Sequence, residues 1–245
     1  MSMAGPAALA GRPVGGGLTG VVSEPLVVEP ALQVVLETAV EPVRLVRRQP
    51  GKRAFDVVVA AGMLVAMMPL FLLVALAIKL EDGGPVLYRQ HRVGYRGRPF
   101  RILKFRSMTV GAERLRAAVA HRNVRDGLLF KVPNDPRVTA VGRVIRRLSI
   151  DELPQFWNVL RGEMSLVGPR PLPVDPDDFS PVDGARHTVA PGITGVWQVT
   201  TDRNVTYWQM VDMDLGYIRS WSFRLDLRLL LRTIPAVIHR RGPAY

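Results

Sequence analysis

The sequence predicts a mainly helical α+β protein that associates with a membrane through a proline-broken hydrophobic helix and carries one small β-hairpin. Three observations predict it. Residues 57–78 form a run of 22 residues without a charge, the length of a membrane element. Val141, Val144, Ile145 and Leu148, and again Leu153, Phe156, Trp157 and Leu160, recur at the i, i+3, i+4, i+7 spacing of amphipathic helices. Residues 86–88 and 100–105 read as strands joined through Gly94 and Gly97.

Residues 1–50 read as a disordered extension. AGRPVGGGLTG at 10–20 is rich in glycine, prolines interrupt the stretch from there to Pro50, and only 32–39 suggests a short element. The start lacks the compact basic stretch and apolar core of a signal peptide, and no internal repeat is visible. The membrane element occupies 51–80. Pro69 divides its uncharged run into 12 and 9 residues, which as helix rise about 18 and 14 Å, each close to half of a ~30 Å hydrocarbon core. Basic residues flank it evenly: Arg44, Arg47, Arg48, Lys52 and Arg53 before, Lys79, Arg89, Arg92, Arg96 and Arg98 after. A spanning helix normally has an excess on one side. On the residues alone, a helix that crosses and one that enters, breaks and returns stay equally open; the second must find partners for backbone groups freed near Val65.

In 81–245 the predicted hairpin is rich in arginine and holds Lys104 in its second strand, where a solvated basic face is the simplest reading. Residues 113–125 read as a surface helix, and Asp175, Asp177 and Asp178 as an exposed acidic loop. Gly162 is a plausible stop for the helix that contains Trp157. Near the end, Leu227, Leu230, Leu231, Ile234 and Ile238 make one stripe while Arg224, Arg228 and Arg232 recur at i, i+4, i+8. Such a helix lies at an anionic membrane surface or packs its stripe on the core.

Charge and composition narrow the function. A formal charge of +12 with 33 basic residues calls for an anionic partner: phosphorylated substrate, acidic lipid or nucleic acid. The absence of cysteine excludes disulfides and thiolate chemistry. His91, His121, His187 and His239 lack metal-ligand spacing.

The most suggestive residues are the adjacent Asp151 and Glu152, placed at a helix-to-helix junction between two groups of arginines. Free backbone N–H groups and the helix dipole favour anions there, and the carboxylates could hold a metal. Simple capping explains the same pair: Ser149 and Glu152 fit the S-x-x-E box. Pro154 sits badly one turn inside a helix capped by Ser149 and well in the first turn of one capped by Asp151.

From about Lys52 to Tyr245 the chain resembles the bacterial sugar transferase family, monotopic phosphoglycosyl transferases of the short, exopolysaccharide type. The blocks that carry the resemblance are KRAFD at 52–56, LKFRSM at 103–108, DPRVT at 135–139, LSIDELPQFWNVLRGEMSLVGPRP at 148–171, PGITGVWQV at 191–199 and DLGYIRSWSFRLDLRLLLRTIPAV at 214–237. The resemblance implies a re-entrant membrane helix broken at Pro69, a catalytic domain over 81–245 with interfacial helices, and a place on the cytoplasmic face of the inner membrane. It implies transfer of a sugar 1-phosphate from a UDP-sugar to undecaprenyl phosphate, releasing UMP through a covalent aspartyl intermediate. Asp151 would be the nucleophile and Glu152 the ligand of magnesium (Mg2+). Lys104, Arg146 and Arg170 would surround the phosphates, with Pro169 and Pro171 restricting the backbone beside Arg170. Gln198 and Arg203 are weaker candidates for donor contact, Arg203 the more so because TTDRN at 200–204 places Asp202 where the family has a glycine. A rival reading is a membrane-tethered basic binder of acidic lipid or nucleic acid. It explains the charge but not the ordered blocks, so no nucleic-acid partner is expected. The sugar, the prenyl chain and whether the protein is a homo-oligomer are not given by the sequence.

Overall fold

A computed structural model describes residues 49–124, 130–172, 181–200 and 205–238. The predicted extension up to residue 48, the acidic loop and Arg203 lie outside the described residues. The helices are α1 (Pro50–Ala66), α2 (Met68–Asp82), α3 (Arg116–Val119), α4 (Ala140–Arg147), α5 (Gln155–Arg161), α6 (Pro181–Arg186), α7 (Tyr207–Arg219) and α8 (Phe223–Ile238). The strands are β1 (Leu87–Val93), β2 (Pro99–Phe105), β3 (Ser165–Val167) and β4 (Gly192–Thr194). The chain is therefore mainly helical, with an antiparallel β1–β2 hairpin and a parallel β3–β4 pair.

α1 and α2 make up the hydrophobic element and meet at a 58° bend. Pro69 is the local cause: it stands in the first turn of α2, the position a helix tolerates, and it has no N–H to continue the ladder from α1. Met67 bridges the break, donating its N–H to the Met63 carbonyl at 2.9 Å and accepting from Phe71 N–H at 2.9 Å. No single described helix is long and apolar enough to cross a membrane, although the bent pair together passes that test.

Both ends of this element are fastened to the rest of the chain. In KRAFD, Lys52 Nζ lies 2.5 Å from Asp226, and Arg53 donates to the Val159 and Leu160 carbonyls at the end of α5 at 2.5 and 2.8 Å. Phe55 meets Phe223 edge-on, and Asp56, buried, accepts from Ser165 Oγ at 2.8 Å and from Leu166 N–H. At the far end, Arg106 grips Asp82 with two guanidinium nitrogens, and Glu81 accepts from Val141 N–H at the start of α4 at 3.1 Å. Apolar packing shows the same division. Ala60 joins the main core with Phe156 and Val159 of α5, Leu166, and Met210, Leu215 and Ile218 of α7. Val74 and Ile78 of α2 form a second cluster with Phe105 and Ile145.

The hairpin extends further than the sequence predicts, because β1 continues to Val93 and pairs residue for residue with β2, Tyr88 opposite Lys104 and Val93 opposite Pro99. The predicted surface helix at 113–125 is instead a broken stretch: a 3-10 turn Ala112–Leu115, one α turn, and a second 3-10 turn Ala120–Arg122. The β3–β4 pair is unforeseen, since three-residue strands carry no readable period. Close backbone approach accounts for its glycines. A Cβ on Gly192 would lie 2.1 Å from the Gly168 nitrogen, and one on Gly168 would lie 2.5 Å from the Ala190 carbonyl, so only glycine lets these backbones meet.

Two helical stripes are corrected in part. Of the α4 stripe only Ile145 is buried; Val144 and Leu148 are exposed because the contact with α2 is narrower than the stripe. In α5, Trp157 also faces outward. In α8 the core side is Asp226 and Leu229, whereas Leu227, Leu231, Ile234 and Ile238 are exposed beside exposed Arg224, Arg228 and Arg232. Leu230 of the same stripe packs on the main core, so the stripe divides between a core-facing edge and an exposed one.

Asp226 is the central fastener, accepting from Lys52, from Tyr217 Oη at 2.8 Å and from Trp221 Nε1 at 3.2 Å while itself 2 % exposed. Asp226→Ala leaves a largely buried ammonium without its counter-ion, the Lys52 and Tyr217 donors keeping only the Val167 carbonyl, and should cost about 3–5 kcal/mol of stability. Thermal unfolding of the detergent-solubilised protein measures this, and a melting temperature unchanged from wild type would refute the fastening role.

Candidate active site

α4 begins where two sequence blocks, DPRVT and LKFRSM, lock together. Asp135 and Arg137 form a buried ion pair at 2.7 Å, Thr139 caps the helix by accepting from Gly142 N–H at 2.9 Å, and Thr139 N–H donates to the Ser107 carbonyl. A Cβ on Gly142 would lie 2.0 Å from that Ser107 oxygen. The start of α4 is thereby pressed onto the end of the hairpin, which fixes where Arg146, near its last turn, projects.

After α4 the chain turns sharply. Ser149 adopts a left-handed conformation with φ 55°, uncommon for a residue other than glycine, asparagine or aspartate. Ile150–Glu152 then form a 3-10 turn, Pro154 caps α5, and Gly162, at φ 78°, ends it. This overturns the capping explanation of the acidic pair. The Ser149 side chain makes no cap bond, and the cap of α5 is Pro154 with no side-chain acceptor. Asp151 and Glu152 therefore sit on a tight turn between two helices without serving either end.

Their environments differ. Glu152 Oε1 accepts from Lys104 Nζ at 2.7 Å, and Arg170 reaches both Glu152 oxygens. Burial pushes the Glu152 carboxyl up, but Arg170 and Lys104 outweigh it and hold the group well below the usual carboxylate range. Asp151 is buried, and among the described residues no hydrogen bond or ion pair reaches its carboxylate. Burial first, and then the charge of Glu152, raise its pKa to about 6, with Lys104, Arg146 and Arg170 opposing. Among the described residues one carboxylate is bonded by two cations, while its neighbour feels cations only through their fields.

Arg170 is aimed by its backbone. It comes after β3 in GPRP, where Gly168 N–H donates to Thr194 O at 3.0 Å and Gly192 N–H to Pro169 O at 2.9 Å. Buried Arg186, paired with Asp214 at 2.6 Å, donates to the Arg170 carbonyl at 3.2 Å. Arg92 donates to the next carbonyl, Pro171 O, at 3.0 Å.

Of the residues singled out from the sequence, Asp151, Glu152, Lys104 and Arg170 come together by direct contact or adjacency. Arg146 lies near enough to favour the ionised form of both Asp151 and Asp135. Gln198 does not join them: its amide donates to the Ile193 carbonyl at 2.9 Å, and no contact ties it to the carboxylates. Arg92 and Arg186 were missed. Strand alternation could have found Arg92, because in a hairpin with Lys104 opposite Tyr88, Arg92 shares their face. Nothing local marks Arg186, whose partner lies 28 positions on.

The donor set suits magnesium only in part on its own. Two adjacent carboxylates match that ion when phosphates and water complete its shell, and the described residues hold no cluster of three or more His, Asp or Glu that would cage it. Glu152 is engaged by Lys104 and Arg170, so holding a cation requires these two to pass to another anion.

A bare carboxylate in a ring of guanidinium and ammonium groups, beside an apolar bent helix, is the layout of a group-transfer site for a phosphorylated substrate. Comparison with known proteins is specific. The family model described as "Bacterial sugar transferase" matches residues 47–240. Exopolysaccharide production protein ExoY of Sinorhizobium fredii is 42% identical over 199 residues, covering 78% of this chain and 87% of the relative. The UDP-glucose:undecaprenyl-phosphate glucose-1-phosphate transferase of Caulobacter vibrioides is 41% identical over 236 residues, 93% of this chain and 84% of its own. The undecaprenyl-phosphate galactose phosphotransferase of Salmonella typhimurium is 40% identical over 196 residues, 78% of this chain but 41% of its own. The chain belongs to the bacterial sugar transferase family, as an enzyme of the exopolysaccharide type.

Proposed function

We propose that the protein transfers a sugar 1-phosphate from a UDP-sugar to undecaprenyl phosphate, with Asp151 as nucleophile. The observation that carries this reading is the contrast within the acidic pair: Glu152 is fully engaged by Lys104 and Arg170, while among the described residues no hydrogen bond or ion pair reaches the buried Asp151 carboxylate. The names of the relatives supply donor and acceptor class.

In this mechanism an Asp151 oxygen attacks the sugar-bearing phosphorus of the donor. The bond from that phosphorus to the bridging oxygen breaks, UMP leaves with the electron pair, and an acyl phosphate joins the sugar phosphate to Asp151. An oxygen of the lipid phosphate then attacks the same phosphorus, and the Asp151 carboxylate departs. One phosphoanhydride is broken and another made, so the covalent step divides a nearly balanced reaction in two. Anion attacking anion is opposed electrostatically, and Lys104, Arg146 and Arg170 lower that barrier by meeting the phosphoryl oxygens. Magnesium, held by Glu152 with Asp151 beside it, would supply further neutralisation of the phosphates. A pKa near 6 suits the nucleophile, which gains basicity from its apolar surroundings and is still mostly ionised at neutral pH.

We further propose that α1–α2 is a re-entrant element at the cytoplasmic face of the inner membrane. Support comes from its fastening: the start of α1 and the end of α2 are both bonded to the same body of the protein, so both belong on one side of a bilayer. Exposed Val65, Met68, Leu72, Leu73 and Leu76 around the bend then enter lipid, and the exposed α8 stripe lies along the surface with its arginines at the headgroups.

Three outcomes test these readings. Incubation with a sugar-labelled UDP-sugar and no lipid should leave label on the protein, and Asp151→Asn should abolish both label and turnover; full turnover in that variant excludes Asp151 as nucleophile. Because the Asp151 pKa is raised to about 6 and the nucleophile must be ionised, kcat/KM for the donor should rise about tenfold per pH unit below 6 and level off above it. A profile flat between pH 5 and 8 would contradict the assignment. Tags placed before Met1 and after Tyr245 should both be shielded from reagents outside the cell, and Pro69→Leu should straighten the element, expose one tag in part of the population and lower activity. External labelling of the wild-type N-terminus would show a crossing helix and leave the chemistry of Asp151 untouched.

A further inference from the structure

The hairpin divides its side chains between two faces, and the face that carries Lys104 also carries Tyr88 and Arg92. Arg92 is half-buried, and it differs in its partners from the fully buried arginines among the described residues. Arg106, Arg137 and Arg186 are each paired with a carboxylate, Asp82, Asp135 and Asp214. Arg92 meets only neutral oxygens, Gln90 Oε1 at 2.5 Å and the Pro171 carbonyl at 3.0 Å. Its Nε–H is enclosed with no acceptor, as are Arg106 Nε and Arg186 Nη1, so it is the missing carboxylate that sets Arg92 apart. The carboxylate whose field it feels is Glu152, already engaged by Lys104 and Arg170, and the positive charges of Arg170 and Arg116 act against it. Two cations thus bond one carboxylate, and Arg92 shares its field without contact. A desolvated guanidinium without a counter-ion, set beside another guanidinium, is held at a cost that an incoming anion removes.

We propose that Arg92 is a third cation of the substrate site, meeting the diphosphate of the nucleotide-sugar donor together with Lys104 and Arg170. This assignment rests on the transferase reading above. It accounts for the unused Nε–H and for the charge surplus together, since a diphosphate brings both acceptor oxygens and negative charge. It also gives the Pro171 contact a use: the carbonyls of Arg170 and Pro171 are held in succession by Arg186 and Arg92, so the arm that binds the donor also steadies the neighbouring one.

The test uses the full chain in detergent with magnesium present, and UDP and inorganic pyrophosphate as probes. Arg92→Gln should weaken both probes by about ten- to a hundredfold, the range for one charge-assisted hydrogen bond, and raise the donor KM more than it lowers kcat. Its melting temperature without probe should equal or exceed that of wild type, because an uncompensated charge has been removed, while the gain on adding UDP should vanish. Wild-type affinity for both probes in this variant overturns the assignment, as does a lowered melting temperature with the UDP gain intact, which marks a purely structural role. If melting and affinity both fall, Arg92→Lys decides: restored pyrophosphate binding upholds the assignment, and restored melting without restored binding overturns it. A wild-type protein that binds neither probe would sink the transferase reading and this assignment with it. Wild-type turnover alongside unaltered affinity in Arg92→Gln removes only the assignment.

Discussion

Glu152 is the point on which the site depends. Lys104 from the hairpin and Arg170 from the segment after β3 converge on its two oxygens, joining parts of the chain that are 48 and 18 positions away. A carboxylate with two cationic partners in a buried position stays ionised, and its charge falls on Asp151 next door. There burial, reinforced by the charge of Glu152, outweighs the opposing cations Lys104, Arg146 and Arg170, so the Asp151 pKa rises instead. One ion-pair network therefore produces both an electropositive bed for phosphate and a carboxylate of raised basicity. Such a network is stable only when complete, because removing one member strands the others in a desolvated place.

Most of the family-like blocks serve to aim these few groups. DPRVT spends its charges on the Asp135–Arg137 pair and its threonine on capping α4, which directs Arg146. KRAFD binds α1 to α5, β3 and α8. PGITG supplies the strand and the bare glycine backbone against which Gly168 can lie, and that contact fixes the entry into Pro169 and Arg170. Only LKFRSM, IDELP and GPRP contribute side chains to the acidic cluster itself.

The sequence made the long elements legible and the short ones opaque. The uncharged run and its proline gave the bent helix, because composition and the missing N–H of Pro69 are local properties. The amphipathic spacings gave α4, α5 and α8 but misplaced Val144, Leu148 and Trp157, since periodicity reports a stripe and not the width of the surface that covers it. The β3–β4 pair needed knowledge that residues 165 and 192 are neighbours, which no window of sequence contains. The same limit hid Arg186, whose importance arises from the Arg170 carbonyl and from Asp214. The acidic pair stood out, yet its alternative explanation as a helix cap was settled only by the left-handed Ser149 and by Pro154 taking the cap position.

The placement of the turn that carries Asp151 links the membrane element to the chemistry. It connects α4 to α5, and these two helices hold different halves of the bent pair: α5 packs on α1 through Phe156 and Val159 around Ala60, and α4 packs on α2 through Ile145 and Val141 around Val74 and Ile78. Ile150, on the turn itself, belongs to the second of these clusters. The angle between α1 and α2 and the spacing of α4 from α5 are consequently one mechanical quantity, because packed cores transmit displacement rather than absorb it. A straightened element would pull the two helices apart at the turn, lengthening the reach from Glu152 to Lys104 and Arg170. The bend at Pro69 therefore bears on the electrostatics of the acidic pair through packing.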